Sequence, residues 1–153
     1  MLETLSLDGK TVVITGGGTG LGREMTLAMA RAGADLVIAS RRTGPIEEVA
    51  ALVKDLGRRS LAVPTDVTDS DQVDRLYQTS LDEFGKVDVL VNNAGIVRGG
   101  GSIPIWDITD DDWRLGIDTN LTGSFYCSRA ISRHMVERAE GKIVNVSSGF
   151  GLR

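Results

Sequence analysis

The residues with the clearest chemical potential form a glycine-rich segment near the start of the chain, TGGGTGLG at positions 15–22. It follows an apolar run and opens a segment with helical periodicity. Glycines let the backbone turn sharply and approach a ligand closely, and the free N–H groups at a helix start attract an anion. The segment is predicted to hold a pyrophosphate through Gly16, Thr19, Gly20, Leu21 and Gly22. Its spacing is TGxxxGxG, not the common GxGxxG, and a plain glycine turn without a ligand is the alternative.

The elements that must position this segment are visible as five short runs rich in Val and Ile. They alternate with longer segments whose apolar residues recur every three or four positions, a pattern typical of βαβ units and a parallel sheet. Because the runs show little polar alternation, they are predicted to be strands covered on both faces. The runs are Thr11 to Thr15, Leu36 to Ala39, Leu61 to Val63, Val87 to Val91 and Lys142 to Ser147.

The intervening segments carry helix signals. Glycines at positions 33, 57 and 85 stand where three helices should end, and Thr109 with Asp112 resembles a capping box that opens a long fourth helix through Leu121 and beyond. The first helix places a set of apolar residues on one face, namely Leu21, Met25, Ala28, Met29 and Ala32.

Two motifs in order resemble the short-chain dehydrogenase/reductase family: TGGGTGLG, and Asn92-Asn93-Ala94-Gly95 directly after the fourth run. The segments DTNLTG at 118–123 and NVSS at 145–148 fit the same pattern. The resemblance covers essentially the whole chain, residues 1–153, as one dinucleotide-binding domain, but only about the first 60% of a family domain of roughly 250 residues. It implies an α/β fold of the Rossmann type: a doubly wound parallel sheet in the order 3-2-1-4-5, in three α/β/α layers, incomplete on its C-terminal side.

The end of the second run bears on the choice of cofactor. Relatives that bind NAD place a carboxylate there, which accepts hydrogen bonds from the ribose and repels a 2′-phosphate. This chain has Ser40-Arg41-Arg42, with no carboxylate before Glu47. Since guanidinium groups pair well with phosphate, NADP(H) is favoured and NAD(H) is the alternative cofactor. Arg41 is the first choice for the phosphate contact and Arg42 the second; a solvated basic pair without a ligand is the other interpretation.

Further cofactor contacts follow from the resemblance. Asp66 would bond the adenine amino group and Val67 would line the adenine pocket, although on spacing alone Asp66 fits a turn cap almost as well. Asn93, Ala94 and Gly95 follow a central strand at its carboxyl end, where open α/β sheets bind ligands.

The chemistry that the resemblance implies is hydride exchange between nicotinamide and a carbonyl or alcohol carbon, with a tyrosine as acid or base and a lysine that lowers its pKa. Asn120 matches the asparagine that orients a water in the proton relay, and Ser148 matches the serine that holds the substrate oxygen. The simpler alternatives are a helix-interior asparagine with local hydrogen bonds and a serine in a turn.

The YxxxK pair of the family has no counterpart in this sequence. Tyr77 and Tyr126 are its only tyrosines, and Leu81 and Ala130 stand four residues beyond them. Both tyrosines are interpreted as packing residues. The chain therefore resembles a family member that ends before its catalytic pair, and it is expected to be inactive alone. A dinucleotide-binding module without catalysis and an inactive fragment are the alternatives to an enzyme.

Composition limits the partners. The net charge is −4 and basic residues cluster only in pairs, which argues against a nucleic-acid surface. No stretch approaches the roughly 18 apolar residues of a membrane helix, and no signal-peptide pattern is present. Cys127 and His134 are single, so an internal disulfide and a cysteine or histidine metal site are excluded. We expect a cytoplasmic enzyme of small ketones or alcohols, with 3-oxoacyl reduction as one candidate chemistry, from a homo-oligomeric parent protein.

Overall fold

The computed structural model describes residues 5–96 and 103–148. In these ranges the strands are β1 (Thr11–Thr15), β2 (Asp35–Ser40), β3 (Ser60–Pro64), β4 (Val89–Asn92) and β5 (Lys142–Asn145). The α-helices are α1 (Gly20–Arg31), α2 (Thr43–Asp55), α3 (Ser70–Phe84), α4 (Asp110–Ile117) and α5 (Gly123–Glu137). A short 3₁₀ turn, Ile105–Asp107, precedes α4, and a π-helical turn, Asp118–Thr122, joins α4 to α5.

The strands form one parallel sheet in the order β3-β2-β1-β4-β5, which confirms the predicted order. Ile14 of the central strand β1 pairs with Ile38 of β2 on one side and Val91 of β4 on the other. All five residues of β1 are buried, as the unalternated apolar run predicts. By contrast with the buried central strand, β5 lies at the edge of the described sheet next to β4, and all four of its residues are exposed.

Helices cover both faces of the sheet and make three layers. On one face Ile14 and Ile38 pack with residues of α1 and α2 such as Ile46 and Val53. On the opposite face Val13 and Leu90 pack with residues of α3 and α5, among them Val73, Leu76 and Ile131. Each fully buried side chain of this size contributes about 1.5–3 kcal/mol relative to its exposed state, so the double-sided core fixes the sheet firmly.

The predicted apolar face of α1 is confirmed for Met25 and Met29, which pack against the core, and is wrong for Leu21 and Ala28. The buried residues are Gly22, Thr26, Leu27 and Ala30, whereas Leu21 is 62% exposed and Ala28 is also exposed. The cause is close packing at the start of the helix. Gly22 has no side chain and lies against the backbone of Gly16, so α1 meets the sheet through small residues.

Several strand boundaries also differ from the prediction: β2 and β3 each extend one residue further at both ends, and β4 continues to Asn92. The fourth strand begins at Val89 instead of Val87, because Asp88, the residue before it, makes two hydrogen bonds to Thr11. The Asp88 N–H donates to the Thr11 carbonyl, and the Asp88 carboxylate accepts from the Thr11 N–H. The fifth strand ends at Asn145 instead of Ser147. Pairing of β5 with β4 stops there, where β4 itself ends at Asn92.

The long fourth helix is present but interrupted. Thr109 caps it as predicted, since its Oγ1 accepts from the Asp112 N–H at 3.1 Å. The π-helical turn then lies between α4 and α5, and the backbone keeps helical angles where the turn meets each helix. Single π turns within α-helices are frequent at functional sites.

Candidate ligand cleft at the carboxyl edge of the sheet

A cleft of about 390 Å³ opens at the carboxyl ends of the strands. The segments that follow β1, β2, β3 and β4 contribute to it, together with the π-helical turn. Its walls consist of Gly16, Gly18, Thr19, Ser40, Arg41, Arg42, Pro45, Thr65, Asp66, Val67, Ala94, Gly95, Ile96 and Thr119. Most of the predicted cofactor residues are in this set; Gly20, Leu21, Gly22 and Asn93 are not.

The β1–α1 loop depends on glycine for backbone geometry. Gly16 has φ +67° and Gly20 has φ +53°, both in the left-handed region that favours glycine. A Cβ at Gly22 would overlap the Gly16 carbonyl oxygen and stand 2.5 Å from Asn93 Nδ2. Gly22 therefore shapes the loop through backbone packing, and Gly20 leaves open space at the start of α1, where nothing lies within 4 Å of an added Cβ.

Hydrogen bonds fasten this loop to the end of β4. Thr15 Oγ1 accepts from the Asn93 N–H at 3.1 Å and from the Ala94 N–H at 3.0 Å. In return, Asn93 Nδ2 donates to the carbonyl oxygens of Thr15 at 3.0 Å and Gly16 at 3.2 Å. The side chain of Asn93 thus binds the backbone of the glycine loop, and its structural role is to position that loop.

The two arginines stand in the wall beyond β2. Arg42 Nη2 donates to Thr19 Oγ1 at 3.5 Å and so connects this wall to the glycine loop. Ser40 Oγ donates to the Arg42 carbonyl at 3.1 Å. Among the described residues Arg41 has no hydrogen bond or ion pair, and its side chain is exposed. A free guanidinium at the edge of a cleft is available to an anion.

Asp66 performs the turn role that its spacing allows. Its Oδ1 accepts from the Thr68 N–H at 3.0 Å and from Thr68 Oγ1 at 2.8 Å, just ahead of α3. It also lines the cleft. The adenine contact of Asp66 and the pocket role of Val67 remain predictions.

The two predicted catalytic positions have different surroundings. Asn120, in the π-helical turn, accepts from the Ile96 N–H at 2.8 Å and donates to the Ile96 carbonyl at 3.0 Å. The alternative of purely local side-chain bonds is therefore wrong, because this contact crosses 24 positions of sequence. Ser148 is exposed, three residues past the end of β5, and is not among the residues that line the cleft.

Sequence reasoning places Asn92 in a motif but misses its separate role, which is to support this edge of the sheet with a buried side chain. Asn92, 4% exposed, donates through Nδ2 to Asn145 Oδ1 at 2.9 Å and to Ser128 Oγ at 3.1 Å. It thus joins β4 to β5 and α5. The Asn92-Asn93 pair could have indicated this role, because successive side chains of an extended chain point to opposite sides and so two asparagines in a row have different partners.

A buried charge cluster at the opposite end of the sheet was also missed. The Asp88 carboxylate, 5% exposed, bonds Arg138 Nη2 at 2.8 Å, Lys86 Nζ at 3.0 Å and the Thr11 N–H at 2.9 Å. Burial pushes the pKa of Asp88 upward, but the hydrogen bonds from Arg138, Thr11 and Lys86 outweigh burial and hold that pKa below its usual value. The cluster is far from the cleft and stabilises the fold.

The tyrosines and the cysteine are packing residues, as predicted for the tyrosines. Tyr77 and Tyr126 are partly buried against the core on the α3 and α5 side of the sheet. Burial, with the charge of Glu137, raises the pKa of Tyr77, the opposite of what a catalytic tyrosine needs. Burial raises the pKa of Cys127 to about 12, so its thiol is unreactive.

Neither a metal-binding cluster nor a membrane-spanning helix is present in the part of the chain that the structure describes. No group of three or more His, Cys, Asp or Glu side chains there could hold a metal ion. No helix within those residues is both long and apolar enough to cross a membrane.

An open parallel sheet with a glycine-rich loop at its carboxyl edge defines a doubly wound nucleotide-binding α/β protein. Comparison with known families makes the class specific. The sequence profile described as "short chain dehydrogenase" matches residues 10–153. The chain belongs to the short-chain dehydrogenase family.

Curated relatives include enzymes with different substrates. The chain is 36% identical over 149 residues to a 3-oxoacyl-[acyl-carrier-protein] reductase of Synechocystis sp., covering 96% of this chain and 59% of the relative. It is 41% identical over 149 residues to a galactitol 2-dehydrogenase of Rhizobium johnstonii, covering 97% and 57%. The chain thus spans less than two thirds of the length of these relatives.

Solved structures of the family have the same fold. A 7α-hydroxysteroid dehydrogenase complexed with NADH and 7-oxo glycochenodeoxycholic acid superposes with a TM-score of 0.90 at 32% identity, over 97% of this chain and 57% of that one. An NAD⁺-bound xylitol dehydrogenase gives a TM-score of 0.90 at 31% identity, over 95% of this chain and 55% of that one. The family is one of NAD(P)-binding oxidoreductases.

Proposed function

We propose that this chain supplies the cofactor-binding part of an NADP(H)-dependent short-chain oxidoreductase that exchanges a hydride between nicotinamide and a small ketone or alcohol. The cofactor would rest in the cleft at the carboxyl edge of the sheet, with its pyrophosphate at the glycine loop and the start of α1. The bound dinucleotide supplies the hydride chemistry, and the protein supplies binding and orientation.

The proposed cofactor preference is based on the two arginines in the wall of the cleft beyond β2. Arg41 is exposed and without a partner among the described residues, and Arg42 reaches the glycine loop through Thr19. Among the described residues that line the cleft, Asp66 is the only one with a carboxylate, and its Oδ1 already accepts hydrogen bonds from Thr68. A wall with two guanidinium groups suits a ribose 2′-phosphate better than a free ribose diol.

Roles for the other predicted residues are part of the proposal. Gly16, Thr19, Gly20, Leu21 and Gly22 would surround the pyrophosphate side, Asp66 and Val67 the adenine, and Asn93, Ala94 and Gly95 the cofactor near β4. Asn120 would act next to the reacting groups by ordering Ile96 and the water of the proton relay, and Ser148 would hold the substrate oxygen. No metal is needed for this chemistry.

The substrate class is a small carbonyl or alcohol. Reduction of a 3-oxoacyl group is one member of that class, supported by the 36% identity to the Synechocystis reductase. The 41% identity to a galactitol dehydrogenase supports a polyol equally well. The parent protein is proposed to be a cytoplasmic homo-oligomer without a nucleic-acid or membrane partner.

The test is a titration of NADPH and NADH, followed by ligand fluorescence, against the unaltered chain, Arg41→Ala, Arg42→Ala and Arg31→Ala. Arg31 is an exposed arginine of α1 outside the cleft and serves as the matched control. Loss of one charged hydrogen bond should weaken NADPH binding by about 1–3 kcal/mol in Arg41→Ala and leave NADH binding unchanged. Tighter binding of NADH than NADPH by the unaltered chain contradicts the proposal.

A second candidate, a dinucleotide-binding module without catalysis, is favoured by one observation. Neither Tyr77 nor Tyr126 has a lysine four residues further on, and Tyr77 is held by packing with a raised pKa. NADPH binding without hydride transfer to any ketone, in a longer protein that joins this chain to a helix carrying the family's YxxxK pair, would select this module over the enzyme.

A further inference from the structure

Thr119 is an unexplained polar residue in the wall of the cleft. The residue is 7% exposed and belongs to the π-helical turn between α4 and α5. Unlike Ser80 and Ser124, whose hydroxyls each bond the carbonyl four residues earlier, Thr119 has no hydrogen bond from its Oγ1 to any described residue. A hydroxyl in a helix normally finds such a partner, so its absence here needs a cause.

The hydroxyl is also not sealed from solvent. Among the described residues, the side-chain polar atoms that are fully buried and lack a partner are Arg58 Nε and Asn92 Oδ1. Thr119 Oγ1 is not one of them, so it keeps access to solvent although the residue is almost buried. The opening that Thr119 lines is the cleft.

The position of Thr119 in the cleft follows from its neighbours. Gly123, one turn further along, packs so closely on Val67 that an added Cβ would stand 2.6 Å from Val67 Cγ2. Asn120, next in sequence, holds Ile96 at the end of β4. Thr119 therefore lines the cleft from the α5 side, near the segments after β3 and β4, whereas Arg42 lines it from the α2 side.

We propose that the Thr119 hydroxyl hydrogen-bonds to the adenosine half of the bound dinucleotide, as a specificity-determining contact on the side opposite the arginine wall. This inference rests on the proposed function. A hydroxyl both donates and accepts, so it can pair with a ring nitrogen or an amino group at the edge of a purine, or with a ribose oxygen. In this contact the ligand takes the place of solvent at the Thr119 hydroxyl.

The experiment measures the affinity of NADPH and of adenosine 2′,5′-bisphosphate, which lacks the nicotinamide half, by calorimetry. The variants are Thr119→Val, which keeps the shape and removes the hydroxyl, and Thr119→Ser, which keeps the hydroxyl. Thr122→Val is the matched control, because Thr122 is in the same turn and does not line the cleft. Thermal unfolding of each variant tests the fold.

We expect Thr119→Val to weaken both ligands by a similar factor of about three to ten, with Thr119→Ser and Thr122→Val close to the unaltered chain. Unchanged affinity in Thr119→Val overturns the inference, as does weakening of NADPH alone, which would assign the contact to the nicotinamide half. If Thr119→Val unfolds, Thr119→Ser and Thr119→Ala are compared instead, and equal affinity of those two overturns the inference. The proposed function fails separately, when the unaltered chain binds neither ligand.

Discussion

Gly22 packs so closely on the backbone of Gly16 that a single added atom would disturb the glycine loop. We expect Gly22→Val to destabilise the chain by about 3 kcal/mol, because its Cβ overlaps the Gly16 carbonyl and crowds Asn93. Chemical denaturation measures the loss, and a dinucleotide titration should show no binding. Gly44→Val is the control, since nothing lies within 4 Å of a Cβ at Gly44. Equal stability of the two variants would mean that the loop relaxes freely.

Asp88 makes stability depend on pH at the other end of the sheet. Its folded pKa is lowered, so its contribution is complete above the unfolded value of about 3.9 and is lost as pH falls through the folded pKa. We expect Asp88→Asn to cost about 2 kcal/mol at pH 7, because Arg138 and Lys86 lose a charged partner. Urea unfolding between pH 2 and 7 should show a flatter acid limb for the variant. A parallel acid limb in both proteins contradicts this account.

Neither the Asp88 cluster nor the partner of Asn120 could be predicted from sequence patterns. Periodicity relates residues three or four positions apart, whereas Asp88 and Arg138 are separated by 50 positions and Ile96 and Asn120 by 24. The places of the glycine loop and of Ser40-Arg41-Arg42 in the cleft wall could be predicted because each is a contiguous segment at the end of a strand, and their roles in cofactor binding stay predictions. Thr119 carries no such signal, since a threonine in a helix is ordinary.

Strand existence and order were predictable at the scale of elements, because buried parallel strands require unbroken apolar runs and α/β connections constrain their order. The complete buried face of α1 could not be predicted in this way. Hydrophobicity favours Leu21 as a buried residue, whereas close packing on the sheet buries Gly22 and Thr26. Strand ends depended on side chains such as Asp88 that compete for the backbone.

The π-helical turn gives α4 and α5 a contact with the segment after β4. Asn120 makes two hydrogen bonds to the backbone of Ile96, so we expect Asn120→Ala to release that segment. Amide hydrogen exchange at Ile96 should accelerate about tenfold, while Leu90 inside β4 keeps its protection. Unchanged exchange at Ile96 would mean that the segment is held by other contacts.

The whole chain is expected to bind cofactor without catalysing reduction. A positioned proton donor contributes about 10²–10⁴ in rate, and neither tyrosine of this sequence has a lysine partner at the required spacing. We expect no NADPH oxidation above background when the 153-residue chain is given a panel of ketones and 3-oxoacyl thioesters. The comparison is a full-length short-chain dehydrogenase that carries the YxxxK pair, and equal turnover by the two would contradict the assigned chemistry.

We propose above all that the cleft at the carboxyl edge of the sheet binds a nicotinamide dinucleotide phosphate. The most direct measurement is an NMR titration of the ¹⁵N-labelled chain with NADPH, with NADH at the same concentrations as the comparison. We predict that the largest amide shifts occur at Gly16, Thr19, Gly20 and Arg41, and that NADH gives smaller shifts at Arg41. Shifts confined to residues outside the cleft, or equal shifts at Arg41 with both dinucleotides, would contradict the account.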